Sequence, residues 1–202
     1  EPAQVEKLKK RLKIKDETVF VSVSRLSNEK NIDFMIDALA DLKKNTDKAF
    51  RLLIVGDGHQ KQRLQAKIDE LGLTQTIQLV GSVAPENMAN WYQLGDAFLF
   101  ASQSETQGMV ILEAMAAGLP VVAVRSSGID DVVEDGFNGY KTPAKQAVWL
   151  ERVERILNDE SLRKELSDNA ESFAKAYSVE RFSQDVRHIY AETLARYHEA
   201  KN

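Results

Sequence analysis

Between residues 19 and 124 this chain alternates short runs of β-branched and aliphatic residues with longer stretches of helical period, and nothing else in it restricts the possible folds as sharply. The runs at 19–24 (VFVSVS), 51–55 (RLLIV), 77–80, 97–101 and 120–124 (PVVAV) have the length and composition of strands. Between them lie 31–44, with Ile32, Met35, Ile36, Leu39 and Leu42 on one helical stripe, then 60–71, 86–94 and 110–117. Strands that alternate with helices build a parallel sheet, because each crossover returns the chain to the same end. RLLIV and PVVAV are apolar along nearly their whole length rather than at every second position, as strands covered on both faces are. The expectation is an α/β fold, a Rossmann-like parallel sheet of about six strands with helices on both faces. Right-handed crossovers then bring Arg25, Gly56, Gly81, Ser102 and Arg125 to one edge, at the carboxyl ends of the strands. From Ala144 onward only helical patterns remain, at 147–157, 160–176 and 179–199, which gives a helical C-terminal segment.

Composition excludes several function classes. The 202 residues, 43% of them hydrophobic, are enough for one full-sized core, so residues 1–202 are read as a single domain. A net charge of -4 provides no basic footprint for nucleic acid. Without cysteine there is no disulfide and no thiolate ligand, and His59, His188 and His198 lack metal-ligand spacing, so neither a metal nor a cofactor is expected. No apolar run approaches the roughly 18 residues of a membrane span, and the polar start is no signal peptide, so a cytoplasmic location is expected. Lys7, Lys9, Lys10, Arg11, Lys13 and Lys15 form a basic run that reads as a solvated helix face or, alternatively, as a peripheral contact with the inner face of the membrane.

The candidate chemistry sits at the predicted strand ends. After 97–101 comes the polar loop Ser102-Gln103-Ser104-Glu105-Thr106-Gln107-Gly108, and a helix opens at Met109 or Val110. The first N–H groups of a helix are unpaired and carry partial positive charge, so phosphate binds there. Gly108 permits close backbone approach, and Glu113, one turn on, suits a pair of ribose hydroxyls. After 19–24, Arg25 and Lys30 stand five residues apart in a loop and can converge on one anion, the guanidinium as a fork and the ammonium as a point charge. Gly56-Asp57-Gly58 is a tight strand-to-helix turn but not the dinucleotide fingerprint, because Lys61 occupies the place of its last glycine. Residues 127–139 (SGIDDVVEDGFNG) read as structural, with a turn at Gly136 and Asn138.

Glu105-Thr106-Gln107-Gly108, continued by LEAMAAGLPVV from Leu112, resembles the E-x7-E region of retaining GT-B glycosyltransferases. Ser24-Arg25-Leu26 followed by Lys30-Asn31 resembles the same family's phosphate loop, and the ETQG form is similar to that of bacterial diacylglycerol glucosyltransferases. The resemblance covers nearly the whole chain and implies the donor-binding, C-terminal half of a two-domain, metal-independent enzyme. It puts Arg25 and Lys30 on the donor diphosphate, Gly108 and Met109 at the distal phosphate, Val110 beside them in the donor site, Glu113 on ribose and Glu105 beside the donor sugar. It places Gly56 at the pocket border and Val80 and Val83 at the nucleobase. The implied donor is a nucleotide sugar, UDP-glucose or a relative, and the acceptor, possibly a lipid, would be held by an N-terminal domain absent from these residues. The isolated domain is then expected to bind donor without transferring sugar. The rival readings are a sugar-nucleotide epimerase or phosphorylase-like enzyme, and a non-catalytic nucleotide-binding module, on the same fold.

Overall fold

The computed structural model describes residues 2–105 and 108–176. The expected segment at 179–199, with His188 and His198, lies outside the described residues. Helix α1 (Pro2–Leu12) leads into β1 (Thr18–Val23), α2 (Ile32–Asn45), β2 (Phe50–Val55), α3 (Lys61–Glu70) and β3 (Ile77–Gly81). Then follow α4 (Met88–Tyr92), β4 (Ala97–Phe100), α5 (Met109–Ala116) and β5 (Val121–Val124). The short α6 (Ser127–Asp130), β6 (Gly139–Thr142), α7 (Gln146–Asn158) and α8 (Glu160–Ala176) complete the described fold. All paired strands run parallel, in the order β3-β2-β1-β4-β5-β6.

Both faces of the sheet are buried, and the period of two along each strand decides which residue meets which layer. Phe20, Leu52, Ile54, Leu99, Val122 and Val124 pack with α2, α3 and α7, where Phe34 meets the buried Trp149 edge-on at 5.6 Å. Val19, Val21, Leu53, Val55, Phe98, Phe100 and Val121 pack with α1, α4, α5 and α8. This double burial explains why the central runs are apolar without alternation.

Three elements depart from the sequence reading. The helix expected over 86–94 is a 3-10 turn at Pro85–Asn87 followed by the single turn of α4. The span 127–133 contains α6, and the sixth strand is β6, directly after the Gly136–Asn138 turn. The basic N-terminal run is largely helical: α1 buries Val5, leaves Lys7, Lys10 and Arg11 exposed, and stacks Arg11 over the Trp91 ring at 5.7 Å. Among the described residues no helix is long and apolar enough to cross a membrane.

Candidate functional site

The order of the sheet reverses between β1 and β4. From β1 the chain works outward through β2 to β3, and from β4 it works the other way, to β5 and β6. Connections leaving the two central strands therefore diverge, and the crevice between their carboxyl ends is where open α/β sheets bind ligands. The loop after β1 folds through a 3-10 turn at Asn28–Lys30, closed by Asn31 in the left-handed region at φ 53. That turn aims Lys30 inward. Its Nζ lies 3.3 Å from Glu105 Oε2 and 5.9 Å from the centre of the Phe100 ring. Both side chains of the pair are mostly buried, at 16% and 18% exposure. The Ser102 hydroxyl donates to the Glu29 carbonyl at 3.3 Å, so the β1 and β4 loops are tied twice. Arg25 does not join them. It is 80% exposed and pairs with Glu29 Oε1 at 3.3 Å.

On the β2 side the loops are joined through backbone. Ser24 N–H donates to the Val55 carbonyl, Leu26 N–H to that of Asp57, and Gly56 N–H to that of Gly81. Gly56 has φ +135, and a Cβ there would stand 1.9 Å from the Ser24 carbonyl oxygen, so only glycine fits. A cavity of about 360 Å³ opens here, lined by Arg25, Gly56, Asp57, Ser82, Val83 and Met88 among others. Of the two valines read from the sequence, Val83 lines this cavity and Val80 does not; Val80 lines an adjoining hollow with Leu8, Arg11 and Trp91, which Ser82 and Val83 also border.

Across the crevice, Gly108 precedes α5 at φ +62 and supplies no side-chain cap, so the N–H groups of Met109 and Val110 lie ahead of the first internal bonds, which Ile111 and Leu112 make to the Gly108 carbonyl. Met109 is 54% exposed, which leaves this helix start accessible. A Cβ at position 108 would come within 2.6 Å of the Gly128 carbonyl oxygen. Helix α6 braces the same loop: Gly128 N–H and the Ser127 hydroxyl both donate to the Glu105 carbonyl, at 2.9 and 3.2 Å. Asp130 in α6 pairs with Lys141 at 3.4 Å, while Asp131 is exposed.

Glu113 occupies a different environment from Glu105. Its Oε2 accepts from the Tyr92 hydroxyl at 2.8 Å. Burial, and then the Glu113 carboxylate, push the Tyr92 phenol far above its ordinary range, so it stays a neutral donor. The pair borders a hollow of about 390 Å³ that also includes Met88, so this hollow and the Val83 cavity adjoin at one side chain. Tyr92 and Met88 escape the sequence reading because an aromatic or a methionine on a short helix looks like core.

Comparison with known proteins places the chain. Residues 4–173 match the family described as glycosyl transferases group 1. The chain is 33% identical over 192 residues to the alpha-monoglucosyldiacylglycerol synthase of Acholeplasma laidlawii, covering 95% of this chain and 48% of that protein. It is 35% identical over 136 residues to the Streptococcus pneumoniae protein of the same name, covering 67% of this chain and 31% of that one. The chain thus spans half or less of the length of these relatives. Among solved structures, Anabaena HepE in complex with UDP-glucose superposes with a TM-score of 0.80 at 29% identity, over 97% of this chain and 53% of that one. Matched over most of its length, with the sheet order and crevice that a nucleotide-sugar site needs, the chain belongs to the group 1 glycosyl transferases.

Proposed function

We propose that this chain is the donor-binding domain of a retaining, metal-independent hexosyltransferase and that its donor is a UDP-hexose, UDP-glucose by preference. The observation that carries the reading is the meeting of Lys30 and Glu105 across the sheet's switch point, from segments 75 residues apart, beside a helix start with no side-chain cap among the described residues. A cation, a carboxylate and free N–H groups in one crevice are what a diphosphate linked to a polyhydroxylated sugar requires. In this reading Lys30 and Arg25 bind the diphosphate, and the N–H groups of Gly108, Met109 and Val110 hold its distal phosphate. Charge developing on the departing phosphate is then stabilised by fixed dipoles and cations in place of a metal. Glu105 faces the donor sugar, Glu113 receives the ribose hydroxyls, and the cavity at Gly56 and Val83 takes the base. The adjoining of the Glu113 hollow and the Val83 cavity at Met88 supports that order, since ribose and base are joined. Relatives named as glucosyl-lipid synthases and a neighbour solved with UDP-glucose favour glucose and a lipid acceptor. The acceptor would be supplied by a second domain, and this chain alone would bind donor without sustained transfer.

The test is thermal unfolding with UDP, ADP and GDP. A ligand at 100 times its dissociation constant adds about 2.7 kcal/mol, which at roughly 2–4 °C per kcal/mol is readily measured. A UDP-selective shift that is clearly reduced in Arg25→Ala and in Glu113→Ala is the expected result. Equal shifts with all three nucleotides would refute the uridine assignment.

A further inference from the structure

Among the described residues, the Arg25 guanidinium pairs with Glu29. The guanidinium Nη2 lies 3.3 Å from Glu29 Oε1, and the same oxygen accepts the Ser27 hydroxyl at 2.6 Å. The backbone of Glu29 is fixed as well, because its carbonyl accepts the Ser102 hydroxyl that ties the β1 loop to the β4 loop. The Ser27 hydrogen bond, with smaller contributions from its own backbone and from Arg25 and Lys30, holds the Glu29 carboxyl below its usual range, so it is charged at neutral pH. Arg25, by contrast, is 80% exposed and has no other ion-pair partner among the described residues. A carboxylate that also accepts the Ser27 hydroxyl thus pairs with an exposed cation at the rim of the proposed diphosphate site.

We propose that Glu29 is a competing counter-ion: it pairs with Arg25 at the rim of the crevice in the free protein and is exchanged for the donor diphosphate when the donor binds. This rests on the proposed donor site. The effect of Glu29 would be to set the cost of releasing Arg25 to the donor. A plain structural role for the carboxylate predicts the opposite sign on removal of its charge. Glu29→Gln keeps the side-chain length and an oxygen that accepts from Ser27, but removes the countercharge. Arg25 then transfers to phosphate without breaking an ion pair.

The experiment is calorimetric titration of UDP into the chain, the E29Q and R25A variants, and the double variant. An exposed ion pair of this kind sets the scale, so E29Q should bind UDP about two- to fivefold more tightly. The gain must shrink markedly in the R25A background. Unchanged or weaker binding by E29Q overturns the proposal, and an equal gain with and without Arg25 overturns it too, since that would be general charge relief. If the parent chain binds no UDP, the donor-site reading falls and this one with it. Parent binding with E29Q unchanged removes only the role of Glu29. Carboxyl NMR titration gives a readout independent of nucleotide: Glu29 should titrate below an ordinary glutamate, and higher in Ser27→Ala. An ordinary value in the parent chain also overturns the proposal.

Discussion

The two walls of the crevice are built by different means. The β1–β2 wall is backbone against backbone: Gly56 presses on the Ser24 carbonyl, and the two loops exchange N–H to carbonyl bonds. The opposite wall is held mainly by side chains. Lys30 reaches Glu105, Ser102 reaches the Glu29 carbonyl, and Tyr92 reaches Glu113. Backbone contacts of that closeness admit one geometry and have nothing to exchange. Side-chain ion pairs and hydrogen bonds can be traded for ligand groups at small net cost, since each partner gains a new one as it loses the old. The first wall therefore suits a fixed cradle and the second an adaptable clamp.

The largest effect expected is from breaking the rigid wall. In Gly56→Ala the added methyl meets a carbonyl oxygen at 1.9 Å, at a φ of +135 that alanine rarely adopts. Strain and overpacking together amount to roughly 2–5 kcal/mol, a fall on the order of 10 °C in unfolding temperature. An unfolding temperature within a degree or two of the parent would show that this wall yields after all. Breaking the clamp should look different. Lys30→Ala leaves the mostly buried Glu105 carboxylate without its cation, at a cost of about 1–3 kcal/mol of stability, and should also weaken UDP binding by the 1.5–3 kcal/mol typical of charge-assisted hydrogen bonds, about 10- to 150-fold. Calorimetry and denaturant unfolding on the same sample separate the two. A loss of stability with UDP affinity unchanged would mean that Lys30 is part of the scaffold only.

How much of this could be read from the sequence follows the same division. The five runs were legible, and each lies within a residue or two of a strand; four of them are central, where burial on both faces leaves an apolar string, and the fifth, Ile77–Gly81, is a partly exposed edge strand. The sixth strand, Gly139–Thr142, was not: GYKT is short, contains Lys141 and sits at the sheet edge behind a turn. Helix α6 has only four residues, too few to show a period. Arg25 and Lys30 were legible as a cationic pair, but a spacing of five does not reveal that the 3-10 turn at Asn28–Lys30 sends one side chain inward and the other to Glu29. Trp91 and Tyr92 are neighbouring buried aromatics in the sequence of α4. Only the folded chain shows that the hydroxyl of one ends at a carboxylate on α5.

That hydroxyl gives the smallest effect, and it sharpens the contrast within the clamp itself, because Glu105 is held by a cation and Glu113 by a neutral donor. Tyr92→Phe removes one hydrogen bond to a charged group in a partly buried place, so a loss of about 1 kcal/mol of stability at neutral pH is expected. The pH dependence is the more specific signature. The phenol's pKa is raised in the folded state from an ordinary 10.0, so its contribution is complete below that value. It is lost as pH rises above it, because the unfolded chain releases the proton and the folded chain does not. The stability of the parent chain should therefore fall toward that of Tyr92→Phe as pH passes 10.0 and then cross below it, while the variant lacks this slope. Urea unfolding of both proteins from neutral to alkaline pH measures the difference directly, and the other tyrosines cancel. A difference that stays constant through that range would mean that Tyr92 is no more buried from its proton than an exposed phenol, and that the carboxylate of Glu113 is held by something else.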